Sequence, residues 1–166
     1  MSGTTVRRRR RPRLGSAAAV LVVLGVVLAV LVSEPFTVRS SSMAPTLHTG
    51  DQILAERLTP RFGHLERGDL IVFKAPATSV LMVKRVVALA GDRVGLADGR
   101  LVVNGHPRSE AYVDLASVDG VYFGPEVVPP GSVFVMGDDR AVSVDSRDFG
   151  PVPQDRVLGR VMVRLW

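Results

Sequence analysis

Cysteine is absent from all 166 residues, which excludes disulfides, thiol chemistry and cysteine-based zinc sites. Histidine is scarce, and His48, His64 and His106 stand singly without ligand spacing. Exposed loop positions are expected for them, with no metal and no cofactor. Aromatic residues make up 5% of the chain, and none interleaves with its basic run, so the base-stacking surface of a nucleic-acid module is missing. Acidic residues are missing from the N-terminus, where Arg7, Arg8, Arg9, Arg10, Arg11 and Arg13 cluster. Setting those six aside leaves 15 of the 21 basic residues against 16 acids. The net charge of +5 is therefore the property of a local tail. The length suits one modest domain with an appendage.

What the chain does have is an uncharged apolar run over 14–32, built of Leu, Val, Ala, Gly and one Ser. Roughly 20 such residues span a hydrocarbon core as a helix. By the positive-inside bias, the arginine tail (1–13) stays cytoplasmic and residues 33–166 lie across the cell membrane as an extracytoplasmic domain. A cleaved secretory signal shows the same order of basic, apolar and polar regions. The run exceeds the ~7–15 residues of a usual signal core, however, and Val32-Ser33-Glu34-Pro35 ends it without small residues spaced by one. An uncleaved single-pass anchor in the lipid bilayer is therefore expected.

Beyond the anchor, short β-branched runs alternate with Gly, Pro, Asp and Asn, and no period of 3.6 is sustained. The domain reads as mainly β, with strands at 52–57, 69–74, 80–88, 93–96, 100–103, 132–136 and 156–165. Asp98-Gly99 between two alternating stretches predicts a hairpin. The segment 107–130 has a weaker pattern and reads as a loop or small insert.

Three segments could carry chemistry. Ser40-Ser41-Ser42-Met43-Ala44-Pro45-Thr46-Leu47 could be a polar linker, but Met43, Pro45 and Leu47 are large or rigid, and Gly50-Asp51 then opens a strand. In Leu81-Met82-Val83-Lys84-Arg85-Val86-Val87, strand alternation puts Met82, Lys84, Val86 and Ala88 on one face and Val83, Arg85 and Val87 on the other. Lys84 could snorkel to water. Buried instead, it would lose charge and become a general base able to activate a serine without histidine. Residues 135–147, from Val135-Met136-Gly137-Asp138 to Asp145-Ser146-Arg147, are either a solvated loop or an ordered polar network after an apolar strand.

Taken together and in this order, the three segments resemble the type I signal peptidases, over 36–74, 81–92 and 133–153. The resemblance implies an antiparallel β-sheet catalytic domain of signal-peptidase type behind one transmembrane helix. It implies Ser42 as nucleophile, Lys84 as general base, and Ser40 with the Ser42 amide as oxyanion hole. Ser143 would orient the lysine. Arg85, Asp138, Asp145 and Arg147 would give structural support, Asp145 pairing with both arginines. Phe36, Val38, Leu47, Ile53, Val72, Met82 and Val83 would line the substrate pockets. Asp139, Ala141 and Val142 depart from the commonest family pattern. The implied activity is acyl-enzyme hydrolysis of exported preproteins after small-x-small motifs, with signal peptides and the bilayer as partners and no nucleic acid or metal. A pilin- or conjugation-protein processor of the same family would share the dyad. A catalytically silent anchored β-domain binding protein is the alternative from another class. Self-cleaving SOS-repressor peptidases share Ser and Lys but are cytosolic and carry a DNA-binding domain. The stretch from Val32 to Ser42 reaches at most ~33–36 Å fully extended, which ties the serine to the membrane surface.

Overall fold

The computed structural model describes residues 19–21, 25, 32–76, 78–118 and 120–165, with the side chains of 116 and 117 excepted. The chain divides into two units, 1–31 and 32–166. In the first, residues 19–21 and 25 are helical. The rest of the expected anchor up to residue 31, and the basic tail before it, lie outside the described residues. Among the described residues no helix is long and apolar enough to cross a membrane.

The second unit is built on two antiparallel sheets. One has seven strands in the order β1-β2-β11-β3-β4-β9-β10, comprising β1 (Ser33–Thr37), β2 (Gln52–Glu56), β3 (Leu70–Lys74), β4 (Leu81–Leu89), β9 (Ser132–Met136), β10 (Val152–Pro153) and β11 (Val157–Arg164). The other has the order β7-β6-β5-β8, with β5 (Arg93–Ala97), β6 (Arg100–Val103), β7 (His106–Pro107) and β8 (Phe123–Val127). The mainly β, antiparallel reading is what the structure contains.

Asp98 and Gly99 both take positive φ, 54° and 70°, as a type I′ turn between β5 and β6 demands. Four strands escaped the sequence reading. β1 carries Glu34 and Pro35, and proline is admitted because β1 is an edge strand whose missing N–H costs no ladder bond. β7 and β10 are two residues each, and β8 contains Gly124-Pro125. β8 lies within 107–130 and pairs with β5, so this segment, with the 3₁₀ turn Leu115–Val118, completes the second sheet.

Three apolar clusters hold the unit together. Val87, Ala88, Val94, Leu96, Val103 and Phe134 are among those joining the sheets. Ile71, Phe73, Val86, Val133 and Val135 pack with Met82 on one side of the large sheet. Val38, Met43, Leu47, Ile53, Ala55 and Val72 form the third, with Phe36 and Val83 against it. Fully burying side chains of this size contributes about 1.5–3 kcal/mol each. The β4 pairing slips at Val87, between Val86↔Val135 and Ala88↔Phe134. This bulge sends Val87 and Ala88 together into the inter-sheet cluster, so Ala88 does not share the face of Val86 that strict alternation predicts for it.

Candidate active site

The serine triplet lies in a turn, not a linker. The Ala44 amide donates to the Ser41 carbonyl at 2.8 Å, and the Leu47 amide to the Met43 carbonyl at 2.8 Å. Met43 and Leu47 are 1% and 2% exposed and anchor this turn in the third cluster. Ser42 is thereby fixed, buried, with its Oγ 3.1 Å from Ser40 Oγ.

Lys84 reaches the same point from β4. Its amine donates to Ser42 Oγ at 2.5 Å, and the residue is 4% exposed. Its neighbours on the same face, Met82 and Val86, belong to the cluster around Ile71 and Phe73, so apolar matter surrounds the stem. Burial is the dominant influence on the amine and lowers its pKa. Asp145 opposes this, Arg147 adds to it and Asp138 opposes it, and the net result lies below the ordinary lysine value of 10.5. Among the described residues no carboxylate forms an ion pair with Lys84.

Arg85, the next residue, has a different environment. Its Nε and Nη2 donate to the two oxygens of Asp138 at 2.8 and 2.6 Å, and Nη1 donates to the Gly68 carbonyl at 2.9 Å. Burial would lower the guanidinium's pKa, but the hydrogen bonds and charge of Asp138 outweigh it and raise it. Thr46 donates to Asp138 at 2.5 Å, joining the serine turn to this pair. Asp145, fully buried, pairs with Arg147, with contacts of 2.9 and 3.0 Å, while accepting from the Gly137 amide and capping the helix Ser146–Phe149. Burial works to raise its carboxyl pKa, yet Arg147 and the Gly137 amide hold it below the usual range. The expected sharing of Asp145 between Arg85 and Arg147 is therefore replaced by two separate pairs. Asp138 lies against Arg85 because Met136, two residues earlier on β9, is the register partner of Arg85.

Gly137 is required by close approach. A Cβ there would stand 2.3 Å from Ser143 Oγ and 2.4 Å from the Ser42 carbonyl. Ser143 is buried, and its hydroxyl makes no ordinary hydrogen bond, although it lies near enough to Asp145 to help stabilise that carboxylate. It sits across Gly137 from the Ser42 carbonyl.

A groove of about 750 Å³ runs to this pair, lined by Phe36, Val38, Val72, Met82 and Val83 together with Ser40, Ser42 and Lys84. Leu47 and Ile53 do not line it and sit in the cluster beneath. Sequence reasoning missed the exposed rim residues Val80, Leu81, Val142 and Val144, whose signal was an apolar residue left without a core position. Along Leu81–Lys84 the strand pairs with β3, whereas pairing with β9 begins only at Arg85.

The family model of signal peptidases, peptidase S26, matches residues 11–166. The chain is 37% identical over 153 residues to a signal peptidase I of Leptolyngbya laminosa, covering 87% of this chain and 74% of that one. It is 34% identical over 154 residues to signal peptidase I T of Bacillus subtilis, covering 87% and 80%. A probable thylakoidal processing peptidase of Arabidopsis thaliana is 37% identical over 158 residues, with 90% of this chain matching 42% of that longer protein. Among solved structures, a signal peptidase I of Enterococcus faecalis aligns with a TM-score of 0.53 at 33% identity, over 60% of this chain and 97% of that one. A serine and a buried lysine in contact on such a fold, with these matches, lead to one conclusion: the chain belongs to the signal peptidase family, peptidase S26, and is an enzyme of the signal peptidase I kind.

Proposed function

We propose that this protein is a membrane-anchored serine endopeptidase that removes signal peptides from exported preproteins, with Ser42 as nucleophile and Lys84 as general base. The observation that carries the reading is the 2.5 Å contact between the Lys84 amine and Ser42 Oγ, buried and without an ion-pair partner among the described residues, at the foot of an apolar groove. Neutral Lys84 takes the proton of Ser42, and the alkoxide attacks the scissile carbonyl. The resulting oxyanion is stabilised by the Ser42 amide and by the Ser40 hydroxyl, which turns from Ser42 Oγ to the new charge. The ammonium then protonates the leaving amine, and the regenerated amine activates water to release the acyl group. Ser143, buried and across Gly137 from the Ser42 carbonyl, orients the amine between these steps.

Substrate adds as an extended strand along the side of Leu81–Lys84 that β9 leaves uncovered, with main-chain hydrogen bonds setting register. Small side chains at the minus-one and minus-three positions fill the shallow pockets of Phe36, Val38, Val72, Met82 and Val83. The apolar run 14–32 anchors the chain in the cell membrane with the N-terminus cytoplasmic, and the short stretch to Ser42 keeps the nucleophile at the outer surface. The test is cleavage of a purified preprotein by the full chain. Cutting after a small-x-small motif, lost in Ser42→Ala, is the expected result. Cutting that survives in Ser42→Ala would refute the assignment.

A further inference from the structure

The segment 107–130, read from sequence as a loop or insert, supplies two side chains that the reaction scheme leaves unused. Glu110 accepts from Arg140 Nη2 at 2.6 Å, and both side chains are almost wholly buried, 4% and 1% exposed. The Tyr112 hydroxyl donates to the same Glu110 oxygen at 2.8 Å. The Tyr112 ring lies under the Arg85 guanidinium, 3.9 Å from centroid to Cζ. Burial, reinforced by Glu110, pushes the phenol pKa above its ordinary value, so it stays a donor.

These contacts converge on the segment against which the reacting pair rests. Arg140 donates through Nε to the Gly137 carbonyl at 2.9 Å, and its own carbonyl accepts from Arg147 at 2.9 Å. Gly137 touches the Ser42 carbonyl and Ser143 as closely as a residue without a Cβ permits. The Asp139 amide also donates to the Ser42 carbonyl, at 3.1 Å. Arg85, stacked on the Tyr112 ring and bonded to Asp138, adjoins Lys84 on β4. Without Glu110, Arg140 would be a buried cation with no counter-charge, and its tie to Gly137 would be free to shift.

We propose that Glu110 and Tyr112 are positioning residues: by holding Arg140 and Arg85 they fix residues 137–143 against Ser42 and so set the alignment of the Ser42–Lys84 pair. They touch neither substrate nor the reacting atoms. The inference rests on the peptidase reading above. Because misalignment of ~1 Å can cost about a hundredfold in rate, the effect belongs on turnover and not on groove binding.

The experiment is preprotein cleavage by the full chain carrying Glu110→Gln, Tyr112→Ala or Tyr112→Phe, with Ser42→Ala alongside and thermal melts of each variant. The expected result is a fall in kcat of ten- to a hundredfold for Glu110→Gln with KM within twofold, measured at a temperature where the melt shows a folded protein. Tyr112→Ala should fall severalfold in kcat, and Tyr112→Phe, which keeps the ring under Arg85, should recover most of that loss. Unchanged kcat in both Glu110→Gln and Tyr112→Ala beside an inactive Ser42→Ala would overturn this proposal alone, as would losses that vanish once the folded fraction is allowed for. Cleavage retained in Ser42→Ala would overturn the dyad reading, and this proposal with it.

Discussion

Lys84 and Arg85 are adjacent basic residues on one strand, and the two sides of β4 treat them in opposite ways. On one side Lys84 faces the serine turn and apolar stems, with no ion-pair partner among the described residues. On the other, Arg85 receives both oxygens of Asp138, the Gly68 carbonyl and the face of Tyr112. Burial acts against both charges. In Arg85 the carboxylate overcomes it, whereas in Lys84 it prevails. A guanidinium stays charged under almost any surroundings, while an amine can give up its proton, so only the lysine side can serve as a base at moderate pH. What makes Lys84 useful is the partner withheld from it.

The strongest way to break this contrast is to exchange what each side loses. Lys84→Ala should reduce kcat by at least ~10⁴-fold while leaving a folded protein, since catalytic residues acting as a unit fail together, and a cleavage assay with a thermal melt reads both. Asp138→Asn should do the reverse, removing the counter-charge of a largely buried guanidinium at a cost of about 3–5 kcal/mol in stability, read by denaturant unfolding. Arg85→Lys keeps the charge but loses the two-pronged contact, and about 1.5–3 kcal/mol is the expected loss in the same measurement.

A smaller effect follows from the pKa direction of Lys84. Below its folded-state pKa the amine is charged in both states, and the full cost of burying that charge bears on the fold. As pH rises from there to 10.5, the folded protein binds fewer protons than the unfolded chain, so this group's contribution to stability improves with pH. Lys84→Met, which buries no charge, should therefore gain stability over the parent as pH falls below 10.5, read by denaturant unfolding at a series of pH values. The difference should shrink as the pH approaches 10.5. A stability gap independent of pH would show that Lys84 is not desolvated.

The hairpin at Asp98-Gly99 and the strand cores at 70–74, 100–103 and 132–136 were legible because turn chemistry and β-branched runs are local signals. β1 was hidden by Pro35, acceptable only at an edge that the sequence does not announce, and β8 by Gly124-Pro125. Ser42 and Lys84 were legible as chemistry through family resemblance, and their contact spans 42 residues of chain. The pairing of Arg85 with Asp138 instead of Asp145 was not legible, because it depends on the cross-strand register of Arg85 with Met136. Glu110 and Tyr112 escaped for the same reason, since their value lies in Arg140 and Arg85, 30 and 27 residues away in sequence.

The central claim is that Lys84 is a neutral amine when Ser42 needs a base. Titration of the Lys84 side chain by NMR in the full chain, set beside the pH dependence of kcat/KM for preprotein cleavage, tests it most directly. The account predicts one pKa, below 10.5, in both curves, with activity lost as pH falls through it. A Lys84 that titrates at or above 10.5 while the enzyme is fully active at neutral pH would contradict it.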